Sequence, residues 1–242
     1  MPKLTFQPSG DTGLTVIAGD TADRATSAEV LRLRLALEAA NLPGVIETVP
    51  TYLSLLVHYD PLLTSQADLK QAIETLAIGN AGNLSLQPRS WTFPICIDGP
   101  DFAPDLDNLA EQTGLSQQAI MDDLTGSEQF VYMLGFAPGQ PYLGDLPDRL
   151  AIPRRQNPVP HVPAGSVLTA TGKTTIYPTD NPTGWHVIGR TPVPIFNAQA
   201  EQPALLAPGD NVRFHQIDLS EFQHIEDLAA NGSLDPMIEM RQ

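Results

Sequence analysis

The stretch 135–192 constrains this chain more than any other, because it is crowded with residues that restrict the backbone. It reads GFAPGQPYLGDLPDRLAIPRRQNPVPHVPAGSVLTATGKTTIYPTDNPTGWHVIGRTP and holds ten of the 23 prolines. Proline fixes one backbone angle and glycine permits left-handed ones, so together they shape rigid loops. A flexible linker would be polar and poor in aromatic residues, which this segment is not. The composition therefore predicts rigid loops that line a site.

The same region is basic within an acidic protein. Between 149 and 190 there are five basic residues and one acidic residue, whereas the rest of the chain has eight basic residues and 27 acidic ones. Arginine presents a planar fork that matches carboxylate or phosphate, so the region is a candidate anion site. Under the alternative interpretation, these cations balance acidic loops elsewhere in the fold. The five are Arg149, Arg154, Arg155, Lys173 and Arg190.

Composition argues against several classes of protein. A net charge of −15 and a pI near 4.5 argue against binding to nucleic acid or to an anionic membrane surface. The chain shows neither an apolar run of membrane-spanning length nor the apolar segment of a signal peptide. The one cysteine, Cys96, cannot form an internal disulfide, so we expect a buried thiol in a cytoplasmic protein. The five histidines lack metal-binding spacing, and we expect no metal or prosthetic group.

Hydrophobic patterning predicts an α+β chain of two domains, at 1–90 and 91–242. The first domain is predicted to be ferredoxin-like, with the element order βαββαβ. The elements of this order are strand 12–18, helix 27–40, strands 45–49 and 53–59, helix 65–77 and strand 91–97, the last of which lies just beyond the boundary at residue 90.

The second domain is predicted to start with a helical connecting segment at about 98–128. This segment holds two short helices and no basic residue, so it does not read DNA as a helix-turn-helix would. From 129 onward, short strands separated by Gly and Pro turns predict a β-barrel or a sandwich.

Several sequence motifs together resemble those of one family. They are GFAPGQPYL (135–143), PRR (153–155), VPAGSV (162–167), IYP (176–178), NPTGW (181–185) and IGRTP (188–192), with LPGVIETVPTYLSLLVHYDP (42–61) upstream and LLAPGDNVRFHQI (205–217) downstream. The chain resembles the family of the B-type subunit of 5-oxoprolinase, also called allophanate hydrolase subunit 1. That family includes an inhibitor of a sporulation histidine kinase and a module in the carboxyltransferase region of urea amidolyase. The resemblance implies an N-terminal α/β domain followed by a cyclophilin-like β-barrel.

The resemblance implies a function in the ATP-dependent opening of 5-oxoproline to glutamate. It further implies that a sister subunit, the C-type subunit of 5-oxoprolinase or allophanate hydrolase subunit 2, is needed for the reaction and for the use of ATP. The absence of a GxxxxGK[ST] phosphate loop from this chain fits that division of labour. Two alternatives stay open: a non-enzymatic inhibitor that binds a sensor histidine kinase, and a carboxyltransferase component of urea or allophanate metabolism.

Opening such a substrate requires an anchor for its carboxylate. Arg154, Arg155 and Arg190 are the candidates for this anchor. The turn at Gly165 and Ser166 is a further candidate, because compact turns can direct backbone N–H groups at an anion.

The reaction also requires groups that stabilise charge or move a proton. Lys173, His186 and Tyr177 are the catalytic candidates, and Trp185 with Tyr177 would form the apolar walls of the pocket. We therefore predict that the three arginines of the anchor and Lys173 converge on one cleft of the barrel, with Tyr177 and Trp185 nearby.

The chain departs from the family pattern at five positions near this site. Gln140 stands where the family usually has an aromatic residue, and Val159 stands where it has arginine. Thr171, Lys173 and Thr175 replace glycine, glutamine and glycine. Lys173 restores a positive charge without the bidentate geometry of arginine. A β-branched Thr175 would make a left-handed backbone costly there.

Overall fold

The computed structural model describes residues 4–79, 86–99 and 101–234, which belong to two compact units, 1–88 and 89–242. Within these described ranges, every helix is too short or too polar to cross a lipid bilayer.

The first unit is a four-stranded antiparallel sheet packed against two helices. Its elements are β1 (Thr5–Pro8), β2 (Gly13–Ile17), α1 (Arg24–Ala40), β3 (Val45–Pro50), β4 (Ser54–Tyr59) and α2 (Gln66–Gly79), and the strand order is β1-β2-β4-β3. Alternation along β4 places Leu55 and Val57 in the core, where they meet Leu33 of α1 and Ile73 of α2. Both predicted helices and the predicted hairpin are confirmed.

The predicted βαββαβ order is wrong at both ends. The fourth strand of the sheet is β1, which precedes the first predicted strand. The segment predicted as the last strand is β5 (Ser90–Cys96), and it belongs to the second unit. There it pairs along its whole length with a strand near residue 211, and its alternate side chains Trp91, Phe93 and Ile95 enter the core of that unit. Long-range pairing thus overrides the order in which the elements occur.

The second unit is a closed seven-stranded barrel, as the turn-rich pattern predicts. After β5 its elements are α3 (Leu106–Thr113), α4 (Gln117–Gly126), β6 (Gln129–Leu134), β7 (Pro141–Gly144), β8 (Val159–Val162), β9 (Ser166–Ala170), β10 (Lys173–Ile176), β11 (Asn181–Thr183), β12 (His186–Arg190), β13 (Asn211–Ile217) and α5 (Leu219–Ala230). The barrel order is β10-β7-β6-β13-β5-β12-β9, and β8 and β11 form a separate two-stranded ribbon.

Strand β9 is buried on both faces, and this positions the candidate site. Its residue Val167 packs in the main barrel core, whereas Leu168 and Ala170 pack in a second cluster with Tyr177 and Trp185. Because side chains alternate along a strand, the second cluster lies on the outer face of the barrel wall. Val162 of the β8–β11 ribbon closes over it.

The turn between β9 and β10 carries one of the departures from the family pattern. Thr171 has a φ of +51° and is followed by Gly172 with a φ of +72°. A left-handed conformation is costly for a β-branched residue, whereas glycine adopts it freely. Thr175 itself has no left-handed backbone and lies in the regular strand β10. The expected strain is therefore at Thr171.

Thr171→Gly is expected to stabilise the barrel by about 0.5–1 kcal/mol. Relief of the left-handed conformation gains about 1–2 kcal/mol, and the greater backbone entropy of glycine in the unfolded chain offsets part of it. The side chain of Thr171 is exposed, so no packing is lost. The check is the free energy of unfolding from guanidinium denaturation. Thr171→Ala, which keeps a Cβ, is the control and should gain little.

Candidate functional site

A cavity of about 330 Å³ lies on the outer wall of the barrel, against the second hydrophobic cluster. This volume is in the range of small-molecule sites. We call it the Trp185 pocket, and its defining residues are Gln140, Tyr142, Arg154, Thr175, Tyr177 and Trp185.

Aromatic rings form the walls of the Trp185 pocket. The rings of Tyr142 and Trp185 meet edge to face with centroids 6.0 Å apart. Phe136 stacks on Tyr177 at 6.5 Å and an interplanar angle of 24°, yet remains 70% exposed. Such rings offer flat apolar surface to a ligand, and an aromatic side chain left in solvent at the rim marks the entrance. The sequence predicts Tyr177 and Trp185 as pocket walls but does not predict Tyr142 and Phe136, although the last two residues lie in the motif GFAPGQPYL.

Arg154 is the one charged side chain among the described residues that line the pocket. Its guanidinium lies 5.6 Å from the centroid of the Trp185 ring, in a cation–π arrangement. Within the described chain no salt bridge involves Arg154. A fork-shaped cation next to an apolar wall, without a carboxylate of its own, is suited to bind a carboxylate ligand. The structure thus keeps Arg154 as an anion-anchor candidate.

The two tyrosine hydroxyls of the pocket are held in their protonated form. Burial raises the pKa of Tyr142, and the neighbouring Tyr177 raises it further, while the charge of Arg154 opposes the shift. Burial likewise raises the pKa of Tyr177, against hydrogen bonding to Thr183 and the charge of Arg154. Both groups are therefore neutral below pH 10, and stability derived from them is lost only as the pH rises above that value. The Tyr177 hydroxyl donates to the carbonyl oxygen of Pro182 at 3.3 Å.

A tight turn between β6 and β7 supplies the remaining polar group of the pocket. The N–H of Gly135 donates to the carbonyl oxygen of Gln140 at 3.0 Å, and the N–H of Gln140 donates to that of Ala137 at 3.1 Å. The turn holds Phe136 at a φ of +70°. The Gln140 side chain is 2% exposed, and its Oε1 has no hydrogen-bond partner among the described residues.

Arg155 does not join the pocket, which corrects the prediction of a four-cation cleft. It pairs through Nη1 with the Oδ1 of Asp105, a carboxylate only 5% exposed. The other oxygen of Asp105 accepts the N–H of Val187 at 2.8 Å. A buried carboxylate requires such a partner, because its desolvation is costly. Asp105 therefore ties the start of α3 to β12, and Arg155 balances its charge, as the alternative interpretation has it.

Arg190 lies at a different cavity, of about 300 Å³, beside α5. Its Nε donates to the carbonyl oxygen of Ala164 at 3.1 Å, and its Nη2 is 3.9 Å from the Oε1 of Glu226. The guanidinium also lies 5.6 Å from the centroid of the Phe222 ring. These contacts dock α5 onto the barrel, so the predicted convergence of Arg190 with Arg154 is wrong. Tyr177 lines both cavities.

His186 and Lys173 lie away from the lining of the Trp185 pocket. His186 is 2% exposed, and its Nε2 donates to the carbonyl oxygen of Pro153 at 3.0 Å while its Nδ1 is 3.4 Å from the amide nitrogen of Asn108. Lys173 opens β10 opposite Ala170. The structure therefore does not bring either side chain to the cavity, and their predicted role in charge stabilisation or proton transfer is not supported by their position.

The turn at Gly165 and Ser166 is fully used by the fold. The N–H of Gly165 donates to the carbonyl oxygen of Tyr177 at 2.8 Å, and that of Ser166 to Pro163 at 3.3 Å. The N–H of Ala164 donates to Asp180 at 2.8 Å. The backbone N–H groups of Ala164, Gly165 and Ser166 are thus all taken within the fold, so the turn is structural and does not offer its backbone to a phosphate group.

Comparison with known proteins identifies the family. The chain matches the family described as "Carboxyltransferase domain, subdomain C and D" over residues 4–206. The chain belongs to this family. It is 34% identical over 230 residues to the B-type subunit of 5-oxoprolinase from Bacillus subtilis (strain 168), covering 91% of this chain and 95% of the relative. It is 38% identical over 183 residues to the same subunit from Escherichia coli O157:H7, covering 75% and 82%. The resemblance seen in the sequence motifs is thus confirmed.

Solved structures of longer proteins share the fold. The K. lactis urea amidolyase superimposes with a TM-score of 0.78 at 20% identity, over 97% of this chain and 16% of that chain. The chain spans 39% of a second, longer solved protein, which it matches with a TM-score of 0.75. Both longer proteins therefore carry large regions that have no counterpart in this chain.

Proposed function

We propose that this chain is a subunit of a 5-oxoprolinase, which opens the lactam ring of 5-oxoproline to glutamate with ATP and a C-type sister subunit. The match to 95% of the length of a relative named as the B-type subunit of 5-oxoprolinase carries the proposal. The Trp185 pocket supports it, since one free arginine and flat aromatic walls suit a small cyclic carboxylate.

In this proposal the chain binds and orients the lactam. Arg154 holds the substrate carboxylate in a charge-assisted contact, and the rings of Tyr142 and Trp185 pack on the ring of the substrate. The protonated Tyr142 hydroxyl is a donor for the lactam carbonyl, which carries negative charge when the amide bond is attacked. Tyr177, the one predicted catalytic residue in this lining, walls the cavity with its hydroxyl directed to Pro182.

ATP is assigned to the complex and not to a site built by this chain. The sequence has no GxxxxGK[ST] loop, and the N–H groups of the turn at Gly165 are taken by carbonyl and carboxylate oxygens. The part played by this chain therefore needs no nucleotide bound to it.

The test is ATP-dependent formation of glutamate from 5-oxoproline by the chain alone and by the chain co-purified with the sister subunit. We expect no turnover by the single chain and turnover by the complex. Full turnover by the single chain would contradict the role of a subunit. A stable complex without turnover would contradict the proposal that 5-oxoproline is the substrate.

Arg154→Ala is expected to weaken binding of 5-oxoproline by about tenfold or more, because a hydrogen bond to a charged group contributes about 1.5–3 kcal/mol. Isothermal titration of the complex measures this affinity. Arg149→Ala is the matched control, since that arginine is also exposed in the basic stretch but pairs with Asp123 and lies outside the lining of the pocket. Arg154→Lys, which keeps the charge without the fork, should fall between the two. Unchanged affinity in Arg154→Ala would show that Arg154 does not bind the substrate carboxylate.

A further inference from the structure

Among the described residues that line the Trp185 pocket, Gln140 has a buried amide oxygen with no hydrogen-bond partner. The side chain is 2% exposed and lines the cavity, while its Oε1 accepts no hydrogen bond within the described chain. Buried polar atoms in folded proteins are nearly always paired, and at an exception in the wall of a cavity a bound ligand can supply the missing partner. An acceptor oxygen needs a donor, and a carboxylate ligand held by Arg154 cannot supply one from its charged group.

The position of Gln140 is fixed independently of any ligand. Both its backbone N–H and its carbonyl oxygen are bonded within the turn from Gly135, which holds the residue at the start of β7. A site whose supporting backbone is already held in place discriminates between ligands more sharply than a flexible one. The backbone of Gln140 is thus held by a rigid turn at the wall of the cavity.

The other described polar groups of the lining make different demands on a ligand. Thr175 donates its hydroxyl to the carbonyl oxygen of Pro141 at 2.7 Å, and Tyr177 donates to Pro182. Arg154 is a donor only. A ligand that fits this pocket therefore needs an anionic group at Arg154, a flat surface against the aromatic walls, a hydrogen-bond acceptor at the Tyr142 hydroxyl and a hydrogen-bond donor at Gln140.

We propose that Gln140 is the specificity determinant of the Trp185 pocket, and that its Oε1 accepts the ring N–H of a lactam carboxylate. The proposal rests on the proposed function for the choice of a lactam, and it adds the residue that distinguishes a lactam from an otherwise identical ring without N–H. Sites built to hydrogen-bond a donor reject analogues that lack it, because the acceptor is then left buried and unpaired.

The sharpest probe is a pair of ligands that differ in this one group. 5-Oxoproline carries the ring N–H, and the corresponding lactone carboxylate carries a ring oxygen at the same place. Wild-type chain, alone and in complex with the sister subunit, is expected to bind the lactam at least about tenfold more tightly than the lactone, as measured by isothermal titration. Gln140→Leu, of similar size but without an acceptor, should bind the two ligands equally.

Gln129→Leu is the matched control. Gln129 is also fully buried, with neither amide atom partnered among the described residues, but it lies outside the lining of the pocket. Its replacement should leave the ratio of lactam to lactone affinity as in the wild type. Circular dichroism of both variants establishes that they are folded.

Three results would overturn the proposal. Equal affinity of the wild type for lactam and lactone would mean that the Oε1 of Gln140 does not depend on the ring N–H for its hydrogen bond. Retention of the preference in folded Gln140→Leu would place the acceptor elsewhere. Absence of lactam binding in both the chain and the complex would show that a lactam carboxylate is not the ligand of this pocket. Turnover by the complex without this preference would refute only the role of Gln140, whereas a clear preference without turnover would refute only the proposed function.

Discussion

Asp210→Ala is expected to destabilise the second unit by about 3–5 kcal/mol, the largest effect of any single substitution considered. Asp210 is 3% exposed and accepts hydrogen bonds from Arg89 Nε at 3.0 Å and Nη2 at 2.6 Å, from the Trp91 indole at 2.9 Å and from the N–H of Ala207 at 2.9 Å. Alanine would leave the Trp91 indole, the N–H of Ala207 and the Nε of Arg89 without this acceptor, and only Nη2 of Arg89 would keep a second one, the carbonyl oxygen of Leu205. A buried unpaired donor costs far more than a hydrogen bond contributes.

Tryptophan fluorescence during guanidinium denaturation measures this effect on the barrel alone. The chain has two tryptophans, Trp91 and Trp185, and both belong to the second unit. Arg213→Ala, three residues further along in β13, is the control, because its 3.2 Å pair with Glu128 is solvent-exposed and contributes at most about 1 kcal/mol. An Asp210→Ala variant within about 1 kcal/mol of the wild type would show that the buried network is dispensable.

Gly165→Ala is expected to destabilise the barrel by about 2–4 kcal/mol. The residue has a φ of +79°, which costs other residues about 1–2 kcal/mol, and an added Cβ would lie 2.3 Å from the carbonyl oxygen of Thr191. The clash is with backbone, so no change of rotamer relieves it. Moving the turn instead breaks its 2.8 Å hydrogen bonds to Tyr177 and Thr191.

Gly184→Ala is the matched substitution for this test. Gly184 also lies in a loop of the second unit, its backbone is not left-handed and no atom lies within 4 Å of an added Cβ. It should be neutral or stabilising by up to about 1 kcal/mol. Thermal unfolding of the two variants side by side provides the comparison. Equal melting temperatures would contradict the assignment of Gly165 to a structural turn.

Local pattern predicts most elements of this fold, but their partners depend on distant residues. The hairpin of β3 and β4 and the helices α1 and α2 follow from short-range signals, and the Gly- and Pro-rich turns predict the barrel. The strand β5 looks like the last strand of the first domain only because it follows α2 in sequence. Its true partner, β13, lies more than a hundred residues later, and only the shared core of Trp91, Phe93 and Phe214 reveals the pairing.

The same limit applies to the site. Trp185, Tyr177 and Arg154 were found because their residue types suit an anion site with apolar walls, and the structure brings them together. Arg155 has the same local appearance as Arg154, but its carboxylate partner Asp105 stands 50 residues earlier. One of these adjacent arginines pairs with a buried carboxylate while its neighbour lines the cavity. Sequence alone does not tell which is which.

The parallel pairing of β5 with β13 sets the order in which the chain acquires structure during synthesis. Every strand of the first unit lies within Thr5–Tyr59, so that sheet can form while the ribosome is still translating the rest. The barrel joins its first strand to its last, and its Arg89–Asp210 contact spans 121 residues. Until β13 emerges, β5 has an open edge, which is the state in which strands of different chains associate. We therefore expect truncation before Asn211 to give aggregation rather than a smaller folded barrel.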